Sequence, residues 1–279
     1  MTTLNTTLKR YRNKFPHYLD FFELLQKIYY VRNDNEKLWT KDIFSIDKIA
    51  AEKKLNTGEP LINLQHDYFF DELPKQYFLD LLTIAKIEHP TLVQNLRESI
   101  SNNKPFYTEM VQANFSQAGK KLADKPENPE DFAESFDLIP FFLQESLKPF
   151  FSCLALKLKD ILTQNHWQQG ICPVCSRPAD LSLLREEEGI RSLFCVQCNF
   201  EWPYKRLRCH LCGNEDQDKL NYFTIDDPAQ NHYRVNVCHQ CQRFIKTIDT
   251  RITGNEIDLE IENLITIHLD MEAAREGFY

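Results

Sequence analysis

CPVC at 172–175, CVQC at 195–198, CHLC at 209–212 and CHQC at 238–241 decide how this chain is read. Four C-x-x-C pairs fall within seventy residues and hold eight of the nine cysteines, leaving only Cys153 outside. Two residues between cysteines make a tight knuckle that aims both sulfurs at one point, about 2.3 Å from a tetrahedral metal. One knuckle supplies two ligands, so a closed site needs two knuckles. Nineteen residues separate Cys175 from Cys195, and twenty-five separate Cys212 from Cys238. The first spacing lies within the four-cysteine zinc pattern and the second slightly outside it. The simplest assignment is one site from Cys172, Cys175, Cys195 and Cys198 and another from Cys209, Cys212, Cys238 and Cys241. A crossed assignment, first knuckle with third and second with fourth, stays open. The ten-residue gap between Cys198 and Cys209 speaks against it, because it reads as a bridge between two small modules. Four disulfides would require an oxidising compartment and usually a small secreted domain.

The residues around the sulfurs resemble one family. CPVCSRPADL, RSLFCVQCNFEW, KRLRCHLCG, LNYFTIDD and RVNVCHQCQRFIK, in that order, are similar to FdhE, the accessory protein of formate dehydrogenase maturation. The tail IDLEIENLITIHLDMEAAREGFY is similar to that family's closing helix. Arg191 ahead of the second knuckle, Trp202 after it and Arg206 ahead of the third belong to the likeness. It covers residues 170–278 well and residues 1–165 loosely. Ser176 departs from it, since the family usually has Gly there; Gly relieves a strained backbone angle. The resemblance implies rubredoxin-like centres with iron, a cytoplasmic location, and an accessory role that binds the formate dehydrogenase catalytic subunit. Four sulfurs in a tetrahedron suit zinc as well as rubredoxin-type iron, so the cofactor expectation is two thiolate-bound metal ions, iron or zinc.

Working outward, the chain of 279 residues has room for two or more compact units. Its 42% hydrophobic and 27% charged residues suit a core-forming protein. A net charge of −8 opposes nucleic acid and anionic membranes. No apolar run approaches the ~18 residues that span a bilayer, and the start MTTLNTTLKRYRN lacks the apolar core of a signal peptide.

The expected fold class is α+β: an N-terminal helical bundle, two tandem small rubredoxin-like or zinc-ribbon modules, and a C-terminal helix. The expected boundaries are 1–168 for the helical domain, 169–205 and 206–254 for the modules, and 255–279 for the closing helix, Ile257 to Arg275, packing back on the body. Helical periodicity runs over Pro16–Val31, Asp47–Leu55, from Pro74, from Pro90, over Pro105–Leu122, and over a last pair, Asp131–Leu143 and Pro149–Trp167, with Pro149 either starting the last helix or kinking it. KPENPED at 125–131 reads as a loop. SLFCV, LNYFTI, RVNVC and RFIKTID carry the β-branched and aromatic residues of strands. Cys153, in FFSCLAL, reads as a buried small hydrophobe.

His210 and His239 lie inside knuckles, but each knuckle already has two cysteines, so neither is expected to be a ligand. Arg185, Arg191 and KRLR at 205–208 share the stretch with Glu186, Glu187, Glu188 and Glu201, which makes a poor phosphate-binding footprint. Their expected role is to stabilise dianionic thiolate clusters. No P-loop, dinucleotide fingerprint or H-E-x-x-H occurs. A metal with four sulfurs has no open position for substrate, so the chain is not expected to be an enzyme. Two alternatives remain: a redox protein using rubredoxin-type iron, and a nucleic-acid-binding zinc-ribbon protein.

Overall fold

The computed structural model describes residues 8–9, 11–13, 15, 18–39, 47–63, 72–86, 89–103, 105–117, 138–254 and 257–279. Its helices are α1 Leu19–Trp39, α2 Lys48–Asn56, α3 Glu72–Ala85, α4 Pro90–Asn102, α5 Phe106–Gln117, α6 Leu138–Lys157, α7 Lys159–Gln164, α8 Thr250–Thr253, α9 Leu259–Ile265 and α10 Ile267–Arg275. Its strands are β1 Leu181–Arg185, β2 Ile190–Cys195, β3 Phe200–Pro203, β4 Leu220–Phe223, β5 Tyr233–Cys238 and β6 Arg243–Asp249. The architecture is the expected mixture of helices followed by sheet. Pro16 and the 125–131 loop lie outside the described residues. Among the described residues no helix is long and apolar enough to cross a membrane.

The chain forms two compact units that do not follow its order. Among described residues, one unit takes those up to 39, 72–117 and 138–153; the other takes 47–63 and everything from 154. The first unit is helical. The i, i+3, i+4 pattern of α3 buries Tyr77, Phe78, Leu81, Leu82 and Ala85, as its sequence requires. They share a core with Phe22, Leu25 and Ile28 of α1 and with Tyr107 and Val111 of α5. The Phe78 and Tyr107 rings lie 5.6 Å apart.

Pro149 neither starts nor ends a helix: it lies inside α6. An interior proline removes one helical hydrogen bond at about 3 kcal/mol. Burial of Phe142, Leu143, Leu147, Phe150 and Phe151 offsets this, at roughly 1.5–3 kcal/mol for each side chain. The same helix fixes a buried carboxylate, Glu145, between Arg32 and Lys148. The Tyr107 and Ser146 hydroxyls meet at 2.8 Å, and burial pushes the Tyr107 hydroxyl well above its ordinary pKa.

The second unit is built on one six-stranded sheet, in the order β3-β2-β1-β6-β5-β4. Each module contributes an antiparallel three-stranded meander, β1-β2-β3 or β4-β5-β6. The first strand of the first module pairs in parallel with the last strand of the second, Leu181↔Lys246 through Leu184↔Asp249. The two tandem modules are therefore repeats joined edge to edge, which removes one open edge from each. β1, LSLLR, has none of the β-branched signal and was not among the expected strands. It lies at the sheet centre and reads as the continuous apolar run of a strand buried on both faces.

Alternation divides the sheet. Leu181, Leu183, Phe194, Tyr233, Val235, Val237 and Ile248 face Leu269, Ala273 and Phe278 of the C-terminal segment in one apolar cluster. Lys246 reaches the same side and donates to the Asn263 carbonyl at 2.7 Å and to Asp270 at 3.2 Å. The closing segment thus packs back on the sheet, but as two helices. Thr266 breaks it: its hydroxyl donates to the Glu262 carbonyl at 2.6 Å, a back-bond that bends helices.

Candidate metal centres

Each knuckle follows the same backbone path. The residue after the second cysteine takes a left-handed conformation in all four: Ser176 at φ 63°, Asn199 at 49°, Gly213 at 71° and Gln242 at 56°. That conformation returns its amide to the first cysteine, as in Ser176 N–H to Cys172 C=O at 3.0 Å and Gly213 N–H to Cys209 C=O at 3.1 Å. Inner amides point at sulfur, as Val174 N–H does to Cys172 Sγ at 3.4 Å. The strands then bring the knuckles together. β2 ends on Cys195 and β5 ends on Cys238, so each hairpin returns its second knuckle to its first.

The sulfurs of Cys172, Cys175, Cys195 and Cys198 all lie within 4.8 Å of one another, and so do those of Cys209, Cys212, Cys238 and Cys241. The grouping joins neighbouring knuckles, not alternate ones. Cys175 and Cys195 sulfurs are 3.7 Å apart, as are Cys209 with Cys241 and Cys212 with Cys238. A disulfide needs about 2.05 Å. Corners of a tetrahedron with metal–sulfur bonds of about 2.3 Å lie ~3.8 Å apart. The donor sets therefore fit a tetrahedral divalent ion, iron or zinc, bound by four thiolates; such an ion would supply cross-linking and, for iron, one-electron chemistry.

Electrostatics point the same way. Burial pushes the Cys172 and Cys198 thiols well above the ordinary cysteine range. For Cys175 burial acts in the same sense, but hydrogen bonds from Cys172, Cys195 and Cys198, with the Arg177 charge, hold it well below. Four buried thiols resist ionising together, and a cation at their centre removes that resistance.

The basic residues mostly do not serve the thiolates. Arg185 grips Glu201 with two hydrogen bonds, at 3.0 and 2.6 Å. Lys205 pairs with Glu215 at 2.5 Å. Arg191 is buried and donates to Ser182 Oγ at 2.9 Å and to the Arg208 carbonyl at 2.7 Å, with longer contacts to the carbonyls of Lys205 and Arg206. It holds the bridge between modules. Arg177, which composition did not single out, is the cation beside the first cluster.

His210 and His239 stand outside both clusters. His210 is nevertheless buried, and burial followed by the Arg191 charge pushes its pKa down to about 3, so it is neutral. Its carbonyl abuts Gly170: a Cβ on Gly170 would sit 1.6 Å from that oxygen. Cys153 is half-buried, not fully buried as expected, and belongs to neither cluster.

Sequence reading missed a contribution from residues 58–62. Leu61 and Ile62 N–H donate to the Pro173 and Val174 carbonyls at 2.8 and 3.0 Å. Gln169 Nε2 donates to the Gly58 carbonyl at 2.6 Å. The indoles of Trp167 and Trp202 donate to the Ile171 and Gln169 carbonyls at 2.8 and 3.0 Å. No local signal marks 58–62 as part of a cluster over a hundred residues away.

Known proteins resemble this chain. Residues 171–206 match the family model described as FdhE, central domain. A Protein FdhE homolog from Aquifex aeolicus (strain VF5) is 28% identical over 270 residues, covering 96% of this chain and 88% of that one. A Protein FdhE homolog from Shewanella baltica (strain OS185) is 24% identical over 262 residues, covering 93% and 79%. The crystal structure of the FdhE protein from Pseudomonas aeruginosa has the same fold, with a TM-score of 0.68 at 20% identity over 99% of this chain and 92% of that chain.

Proposed function

We propose, for a chain that belongs to the FdhE family, that it is a cytoplasmic accessory protein of formate dehydrogenase maturation which binds the enzyme's catalytic subunit. Its eight clustered cysteines hold two metal ions, iron or zinc, and it is not itself an enzyme. The observation that carries this reading is the pair of closed four-sulfur clusters in a chain of this family. A metal with four sulfurs has no vacant position for a substrate, so the metals stiffen a binding surface. The knuckles, short turns outside the sheet's apolar cluster, gain their rigidity from such ions, on the order of 10 kcal/mol for each.

The test is co-purification of the metal-loaded chain with a tagged formate dehydrogenase catalytic subunit. Association under reducing conditions supports the proposal, and repeated absence of association sinks it. One observation favours a redox version of the same role. Cys212 is exposed and Cys241 half-buried, whereas the first cluster is wholly buried, so electrons and oxidants reach the second cluster more readily. A ferric-thiolate absorbance that bleaches reversibly would support it; a colourless, zinc-filled protein would end it.

A further inference from the structure

The sheet face opposite α10 carries an arginine cleft that neither the clusters nor the client role explains. Its cavity holds about 190 Å³; its lining contains five arginines, 191, 206, 208, 234 and 243, and no Asp or Glu, with Cys209 and Cys238 of the second cluster at one side. This occurs in a chain of net charge −8. Alternation along β5 places Arg234 and Asn236 on this face, since Tyr233, Val235 and Val237 face the helices. Register places Arg243 of β6 opposite Cys238, and Ile245 opposite Asn236.

Ordinary partners account for part of the charge. Arg208 lies 3.7 Å from Glu215, Arg206 donates to the Glu188 carbonyl at 2.8 Å, and Arg191 is spent on the bridge. Asp249, the acid near Arg234, is gripped by Arg251 at 2.7 and 2.5 Å. Among the described residues neither Arg234 nor Arg243 forms an ion pair. Arg234 Nε and Asn236 Oδ1 are buried without hydrogen-bond partners. Leaving such groups unpaired is unfavourable, most of all for a charged one. The Arg234 guanidinium lies over the Tyr222 ring, 4.9 Å from its centre. Arg206 and Arg251 converge on Gly189, each with Nη1 3.1 Å from the point a Cβ would occupy.

Neutralising the second cluster does not explain this. A divalent ion with four thiolates leaves two negative charges, fewer than the five arginines. The like charges acting on Arg234 are Arg206 and Arg251. Burial and these like charges lower its pKa, a cost that an anion would relieve.

We infer that the cleft between β4, β5 and the 206–208 bridge binds a phosphate group, with Arg234 and Arg243 as its principal donors. Guanidinium forks match phosphate oxygens in pairs. The volume is below the ~300–1,000 Å³ of sites for drug-sized ligands, so it seats a compact charged head group. Tyr222, half-exposed beside Arg234, supplies a ring against which the rest of a phosphate ester can lie. The inference stands apart from the client role, and either can fail without the other.

The experiment is calorimetric titration of the metal-loaded full chain with inorganic phosphate and with adenosine monophosphate, at constant ionic strength. Saturable binding is expected, weakened about tenfold or more by Arg234→Gln and by Arg243→Gln and unchanged by Arg185→Gln. Equal affinity for both ligands assigns the site to free phosphate; tighter binding of the monophosphate assigns it to a phosphate ester. Absence of saturable binding, or binding indifferent to both arginine changes, overturns the inference. So does tighter binding of poly-glutamate, which would make the cleft a dock for an acidic protein segment. Arg243→Gln, on a solvent-reaching side chain, serves alone if Arg234→Gln does not fold.

Discussion

The two four-sulfur clusters share knuckle geometry and strand order but not surroundings. All four cysteines of the first are buried; in the second Cys212 is exposed and Cys241 half-buried. The first has backbone partners from residues 61 and 62, pinned Trp167 and Trp202, and a cation, Arg177. The second borders a solvent-reaching arginine cleft. Identical ligand chemistry therefore sits in one closed and one open setting. A ligand set specifies which metals fit, while the neighbouring chain specifies how fast metal, oxidant or partner arrives.

The largest effect should separate the clusters. Cys175→Ser should abolish the folded sheet unit, because losing that ion leaves three fully buried thiols uncompensated. Cys212→Ser should leave a folded protein with one metal fewer. Metal content and circular dichroism on both variants check this, and equal damage would mean that exposure makes no difference. Chelation gives a kinetic version: metal should leave in two phases, the faster from the second cluster, read with a chromogenic chelator. A single phase would break the comparison.

Gly170 tests how firmly the two halves depend on each other. A Cβ there meets the His210 carbonyl at 1.6 Å, and backbone cannot yield as a side chain can. Gly170→Ala should cost about 3 kcal/mol or more, seen as a lower urea midpoint. Arg191→Met should cost about 2–4 kcal/mol, since Ser182 and the bridge carbonyls lose a charged donor, with the second cluster more easily stripped than the first. The smallest effect concerns Ser176. A non-glycine left-handed residue carries about 1 kcal/mol of strain, so Ser176→Gly should raise stability by roughly 0.5–1 kcal/mol. Gly213→Ala, the reverse change in the second cluster, should lower it by a similar amount.

Much of this was legible because cysteine spacing is local. A knuckle is four residues long, and hairpins β1–β2 and β4–β5 are short enough that neighbouring knuckles meet. The α3 stripe and the Asp47 cap of α2, which accepts from Ile49 and Ala50 N–H, were equally local. The illegible parts are relations between distant segments. LSLLR became a central strand because β6 arrives beside it. Pro149 remained helical because buried residues of α6 outweigh one lost hydrogen bond. The arginines near the knuckles looked like counter-ions to thiolate, yet Arg185 found Glu201 and Arg191 found carbonyls.

By itself, then, the sequence determined four two-cysteine knuckles, helices before sheet, and a closing segment with an apolar side, because each is written in spacing over a few residues. Only tertiary structure decided which knuckles pair, that the two modules share one sheet through β1 and β6, that residues 58–62 lie against the first knuckle, and that arginines from four segments gather on one face. Those outcomes depend on which strand edges and buried polar groups remain unsatisfied after local folding. That balance is settled across the whole unit and not within any stretch of it.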